Sequence, residues 1–228
     1  MVFNMLIALE GVDKSGKETQ SKLLLERLLR ENKKARIVNF PDYDSEAAGA
    51  VRMYLDGKFG DKPDDVNPYA ASVFFAVDRY ASFKTEWGAF YRAGGIVVAD
   101  RYTMSNMIHQ GAKIEDRAER RMYIDWLSDL EFNKIGLPEP DIVIFLDLAM
   151  DLRVLLMNEY TKNTDGRGAD IHEKDLGYLR RSHECAREVA GLFGWMRIEA
   201  GRSGGLRPAS DIHNEIYAAI SPILPDNV

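Results

Sequence analysis

A chain of 228 residues with 30 basic and 36 acidic side chains, net charge −6, has room for one large α/β core and lacks the basic excess that nonspecific nucleic-acid binding calls for. The lone cysteine, Cys185, excludes an intramolecular disulfide and any multi-cysteine metal site, and its helical surroundings fit a packed thiol rather than a nucleophile. No apolar run reaches membrane-spanning length and no basic segment precedes a hydrophobic signal core, so a soluble, cytoplasmic protein is expected.

Taken in chain order, Met5-Leu6-Ile7-Ala8-Leu9 is apolar and free of glycine and proline, the pattern of a buried parallel strand. Glu10-Gly11-Val12-Asp13-Lys14-Ser15-Gly16-Lys17-Glu18-Thr19-Gln20 follows, and Leu23, Leu24, Leu28 and Leu29 then recur at helical spacing. A strand, a loop with glycines at both ends and a helix make the setting of a phosphate-binding loop. Gly11 and Gly16 permit the tight turn that aims successive N–H groups at one anion. The helix N-terminus adds partial positive charge and Lys17 a full one, so Gly11, Ser15, Gly16, Lys17, Glu18 and Thr19 are the candidate cradle for bound phosphates. The residue after Lys17, commonly a hydroxyl that helps hold Mg²⁺, is Glu18, with Thr19 next. A carboxylate there repels phosphate unless Mg²⁺ intervenes or the side chain turns outward.

Residues 36–40 read as a second strand ended by Pro41, and 45–55 as a helix. After the polar turn at Lys62-Pro63-Asp64-Asp65, Asn67-Pro68 opens a helix with Asn67 as N-cap, running to about Ala93 before Gly94-Gly95. Strands at 96–100 and 141–147 bracket a helical stretch at 117–132 whose apolar residues include Met122, Trp126, Leu127 and Leu130. A fifth strand at 195–198 and a closing helix at 209–220 complete the alternation, with no repeat and no long linker. Strands separated by helices imply right-handed crossovers and a parallel sheet, with ligands beyond the strands' carboxyl ends. Asp13, Phe40, Asp100 and Asp147 fall there.

Two further groups bear chemistry. Asp100-Arg101-Tyr102 ends a strand expected beside the phosphate loop, where a carboxylate can hold Mg²⁺ and a guanidinium can neutralise transferring oxygens. By itself the tripeptide also reads as a surface ion pair. Phe75 and Arg79 lie one helical turn apart, placing an aromatic face beside a fork of donors, suited to a nucleobase. Without context the pair also reads as a core phenylalanine with a solvated arginine.

Glu10-Gly11-Val12-Asp13 with Lys17-Glu18-Thr19-Gln20, Phe40-Pro41, Phe75-Ala76-Val77-Asp78-Arg79, and Asp100-Arg101-Tyr102 with Ser105-Asn106 resemble the thymidylate kinase family in order and spacing. The resemblance covers most of the chain. It implies a single P-loop domain over residues 1–228, with a five-stranded parallel sheet flanked by helices and a lid at about 158–173. It implies transfer of the γ-phosphate of ATP to dTMP with Mg²⁺, by a homodimer, with no nucleic-acid or membrane partner. On it, Asp13 binds the acceptor sugar hydroxyl, Phe75 stacks thymine, Arg79 bonds its carbonyl and Asn106 reads the base edge. His109 crowds the sugar 2′ position, Arg101 meets the phosphates and Asp100 lies at the metal. Phe40 joins the substrate-binding set. Members carry a catalytic basic residue in the phosphate loop or the lid, and this chain offers both Lys14 and Arg167.

Two arginines depart from the family pattern. Asp42-Tyr43 follow Pro41 where members often have an arginine for the acceptor phosphate, leaving Arg52 as the candidate substitute. The arginine late in the helix before the lid is absent, with Met157-Asn158 in that region. Ala200 and Arg202 are candidates for an adenine-facing loop within 192–206. A nucleoside kinase, and a nucleotide-binding homologue without turnover, remain the alternative readings.

Overall fold

The computed structural model describes residues 3–156, 170–202 and 205–225. Five parallel strands form the central sheet: β1 (Met5–Gly11), β2 (Ala35–Asn39), β3 (Ile96–Asp100), β4 (Ile142–Asp147) and β5 (Met196–Glu199), in the spatial order β2-β3-β1-β4-β5. The expected α/β fold is therefore present. β1 is central, pairing Leu9 with Asp100 on one side and Glu10 with Phe145 on the other. The phosphate loop thus leaves the sheet between the exits of β3 and β4.

Both faces of the sheet are covered, which is why its three inner strands β1, β3 and β4 are buried almost without alternation. Leu6, Ala8, Val97, Ala99 and Val143 face a cluster with Phe83, Trp87, Tyr102, Tyr123 and Leu127. Ile7, Leu9, Val98, Ile144, Leu146 and Ile198 face the opposite way, against Leu24 and Leu28 of α1 (Lys17–Arg30) and Ile212, Ile216 and Ile220 of the C-terminal helix Ala209–Ile220. A third cluster joins α2 (Gly49–Leu55) and α3 (Pro68–Ser82) through Val51, Tyr54 and Ala71, and Ile171 packs into it. Among the described residues no helix is long and apolar enough to cross a membrane.

Several boundaries differ from expectation. The helix expected at 45–55 begins as a 3₁₀ turn, Glu46–Ala48, N-capped by Ser45. Asn67 caps α3 as expected, accepting from Ala70 N at 2.8 Å. The long helix then widens into a π turn, Phe83–Trp87, before α4 (Gly88–Arg92). Gly88 makes that turn possible, because a Cβ there would stand 2.3 Å from Phe83 O. A helix missed in the sequence, α5 (Thr103–His109), follows the Asp-Arg-Tyr corner. It is buried nearly all round, so it lacks the one-sided pattern that marks a helix. α6 (Arg117–Ser128) continues as a second π turn, Asp129–Lys134. Met122 points outward at 62% exposure, whereas Tyr123, Ile124 and Leu127 carry the buried face. The expected lid falls mostly outside the described residues, including Lys162, Gly166, Arg167 and Gly168. The segment 150–156 is helix α7; Asp170 caps the short α8 (Ile171–Lys174), and α9 (Leu176–Leu192) follows.

Candidate active site

Gly11 leaves β1 at φ +154°, where a Cβ would lie 2.6 Å from Leu146 O, so only glycine lets the loop pass under β4. Gly16 takes φ +92° at the N-cap of α1, turning the loop into the helix. Lys17 is buried, and its Nζ donates to Val12 O at 2.9 Å. Burial, then the neighbouring Arg101, holds the Lys17 ammonium down to about 8, against carboxylates that pull the other way. The groove over this loop is lined by Asp13, Lys14, Gly16, Lys17, Glu18, Thr19, Asp100, Arg101 and Glu173 among others. Gly11 and Ser15 lie beneath it; Ser15 Oγ is buried without a partner among the described residues. Glu18 turns away from the loop to pair with Lys22 at 2.6 Å, one helical turn on. That resolves its conflict with phosphate: the carboxylate is outward, and the Lys22 hydrogen bond holds its pKa below the usual value.

Arg101 sits at the end of β3 with φ 66°. Its Nη2 donates to Asp13 Oδ1, and its Nη1 lies 3.4 Å from Gly11 O, Ser105 Oγ and His109 Nε2. Burial raises the Asp100 carboxyl above its ordinary value, with Lys17 and Arg101 pulling it back. Asp13 is the reverse case. Burial would raise it, but Arg101, Lys17 and Arg153 together hold it well below the carboxylate range. Glu10, part of the motif but given no role in the sequence, fixes this corner from below. Its Oε1 accepts from Tyr102 N at 2.7 Å and Ser105 N at 3.1 Å, and its Oε2 from Ser105 Oγ at 2.7 Å.

A second cavity, about 580 Å³ counting its open mouth, adjoins the groove. Its wall includes Asp13, Phe40, Phe75, Arg79, Arg101, Asn106 and His109, so every expected acceptor-side residue lines one space. Arg79 is not solvated. Its Nε and Nη2 donate to the buried Glu131 at 2.7 and 2.5 Å, and Nη2 also reaches Asn106 Oδ1 at 3.1 Å. Glu131 accepts in addition from Thr103 Oγ1 at 2.7 Å. It comes from the second π turn, where no sequence motif marks it. Phe75 meets Tyr54 edge-on with ring centroids 6.3 Å apart.

The rest of the wall was not legible in the sequence. Tyr43, Gln110, Asp170 and His172 line the cavity. His109 and His172 stack 5.9 Å apart at 16°, and His172 Nε2 lies 2.7 Å from Tyr54 OH. An arginine only donates, so the Arg101 contact leaves His109 Nε2 as acceptor and the imidazole neutral. Burial, then Arg101, depresses its pKa accordingly. This grouping of two histidines with a tyrosine is a tertiary contact; Tyr54, His109 and His172 are far apart in sequence.

Arg52 does not serve as the expected substitute. Its Nη1 donates to Tyr43 O at 2.6 Å and Ser45 O at 2.7 Å, pinning the turn after Pro41, and it is not among the residues lining the cavity. The helix before the expected lid does hold an arginine, one the sequence reading passed over. Arg153, fully buried on the segment 150–156, donates from Nη2 to Asp13 Oδ2 at 2.9 Å. The only sequence signal was a charged residue at an inward position of that helix. Asp147, also at a strand end, is engaged elsewhere, paired with Arg187 and Arg197 at 2.9 and 2.7 Å. Ala200 is buried at the base of the small hairpin Gly201–Arg202 and Gly205–Leu206, and Arg202 is exposed on it. Cys185 is packed, its Sγ 3.6 Å from Met107 O and its thiol pushed up to about 12 by burial.

Comparison with known proteins agrees with this geometry. The thymidylate kinase family model matches residues 9–206. Thymidylate kinase from Mycobacterium tuberculosis is 31% identical over 192 residues, 84% of this chain and 87% of its own. The human thymidylate kinase is 28% identical, covering 87% of this chain and 83% of its own. Among solved structures, the thymidylate kinase from Candida albicans superposes with a TM-score of 0.69 at 20% identity, over 99% of this chain and 96% of that one. That from Ehrlichia chaffeensis gives 0.64 at 20% identity, over 96% and 99%. The chain belongs to the thymidylate kinase family.

Proposed function

We propose that this protein transfers the γ-phosphate of ATP to dTMP, giving dTDP and ADP. The observation that carries the reading is the meeting of the two spaces. Among the described residues, Asp13 and Arg101 alone line both the phosphate-loop groove and the adjoining cavity. Phosphoryl transfer needs two phosphates aligned and their charge neutralised, with little covalent help from protein. Arg101 stands at the junction to do so, with Lys17 and Lys14 on the donor side. Arg167 remains the lid candidate for the same role; it lies outside the described residues.

On the acceptor side, Phe75 stacks the base, Arg79 and Asn106 read its edge and Asp13 holds the sugar. Phe40 and His109 close the walls. The Arg79–Glu131 fork supports this assignment, because a buried, fully braced guanidinium offers a fixed donor rather than a mobile one. Mg²⁺ fits the donor side. Asp100 and Thr19 present hard oxygen ligands beside Lys17, while the described residues contain no group of three His, Cys, Asp or Glu side chains that could hold a metal. Such a site suits an ion that keeps waters and is held largely by phosphate oxygens. When bound, it supplies charge neutralisation at the donor phosphates.

We also infer a cytoplasmic homodimer. Tyr69, Val73, Val77 and Tyr80 form an exposed apolar stripe along one face of α3, the kind of surface that a second copy covers.

The test is an acceptor panel with ATP and Mg²⁺. dTMP should be phosphorylated with the highest kcat/KM among dTMP, dUMP, dCMP, AMP and GMP. Preferential use of thymidine would make it a nucleoside kinase, and tight binding of both ligands with no dTDP formed would end the enzymatic reading.

A further inference from the structure

Arg101 faces a conflict. It lines both ligand spaces, yet Asp13 already engages it. A guanidinium committed to a carboxylate has little charge left for phosphate, and a carboxylate deprived of its partner in a partly buried site is unfavourable. Arg153 removes the conflict. It is fully buried, lines neither space, and is anchored by Nη1 to Leu179 O of α9 at 3.3 Å. Asp13 therefore rests one oxygen on each of two arginines, Oδ1 on Arg101 and Oδ2 on Arg153.

We propose that Arg153 is a positioning residue that keeps Asp13 compensated while Arg101 exchanges that carboxylate for the acceptor phosphate, so that phosphate recognition by Arg101 depends on an arginine that never touches the ligand. The inference rests on assigning the cavity to a nucleoside monophosphate. It also explains how the chain manages with Asp42 where an acceptor-phosphate arginine is common. Arg101 is released to act as that group, and the compensating charge comes from the helix before the expected lid.

The experiment compares calorimetric Kd values for dTMP and thymidine, which differ by the phosphate alone. Arg153→Met should lower the preference for dTMP over thymidine by about tenfold, leave thymidine affinity within about threefold, and be largely rescued by Arg153→Lys. In an Asp13→Asn background the same Arg153→Met change should leave the preference unaltered, since no carboxylate then competes for Arg101. That pair removes both charges together and remains informative where the single Met variant does not fold.

An unchanged preference in the single variant overturns the proposal. So does an equal loss for both ligands, which marks a structural role. A loss that persists in the Asp13→Asn background overturns it as well, because Arg153 would then contact the phosphate directly. A wild-type protein with no preference for dTMP over thymidine would instead sink the functional reading, and this inference with it.

Discussion

Lys17 illustrates how a single residue is poised for charge rather than for stability. Among the described residues its buried ammonium makes one hydrogen bond, to Val12 O of its own loop at 2.9 Å. Lys17→Ala should therefore lower kcat by about 10²–10³-fold, the usual cost of losing one fixed electrostatic group, with little change in Tm. Steady-state kinetics beside thermal unfolding checks this, and a comparable loss of stability would argue against a catalytic role. His172 is the opposite kind of residue, built into the wall. Burial, then the Lys113 charge, holds its pKa down to about 3, against 6.5 when unfolded. Between those values the unfolded chain binds the extra proton, so this histidine's contribution is full above pH 6.5 and is lost as pH falls towards 3. Asp78 and Asp170, both raised to about 6 by burial, act with the opposite sign over part of that range. The His172 effect is thus isolated by difference: urea unfolding at pH 7.5 and 5 should show a smaller acid loss for His172→Asn than for the wild type.

At the scale of elements, the two π turns do specific work. The first places Gly88 against Phe83 O, and the second delivers Glu131 to Arg79. Gly88→Ala should destabilise by about 1–3 kcal/mol, as overpacking does. Gly191→Ala in α9, where an added Cβ meets nothing within 4 Å, should be neutral or stabilise by up to about 1 kcal/mol. Chemical denaturation of the two variants side by side decides it, and equal effects would remove the steric argument. These turns also mark where sequence reading stops. The helix over 117–132 was legible from its periodicity, but a π turn is a one-residue insertion in hydrogen bonding that leaves no compositional mark. Glu131 accordingly carries no signal in the sequence.

For the whole molecule, the exposed stripe on α3 bears on assembly. Val77 is 51% exposed among Tyr69, Val73 and Tyr80, and Met122 on α6 is also outward. Val77→Glu should shift the protein from dimer to monomer in analytical ultracentrifugation while leaving the isolated fold intact; a wild type that sediments as a monomer would refute the assignment. The sequence reading marked no such stripe, because an apolar helix face that meets solvent and one that meets the core share one periodicity.

The sequence by itself determined the parallel sheet, the glycine-flanked phosphate loop and the pairing of Phe75 with Arg79 on one helix face. Each of these is a local matter: strand hydrophobicity, a backbone position only glycine tolerates, or two side chains one turn apart. Only the tertiary structure decided which charges face one another. It bound Arg79 to Glu131, committed Arg52 to the Tyr43 turn and brought Arg153 to Asp13. Ion pairing depends on distance in space and on the water excluded around it, and the Arg153–Asp13 contact spans 140 positions that no local pattern connects.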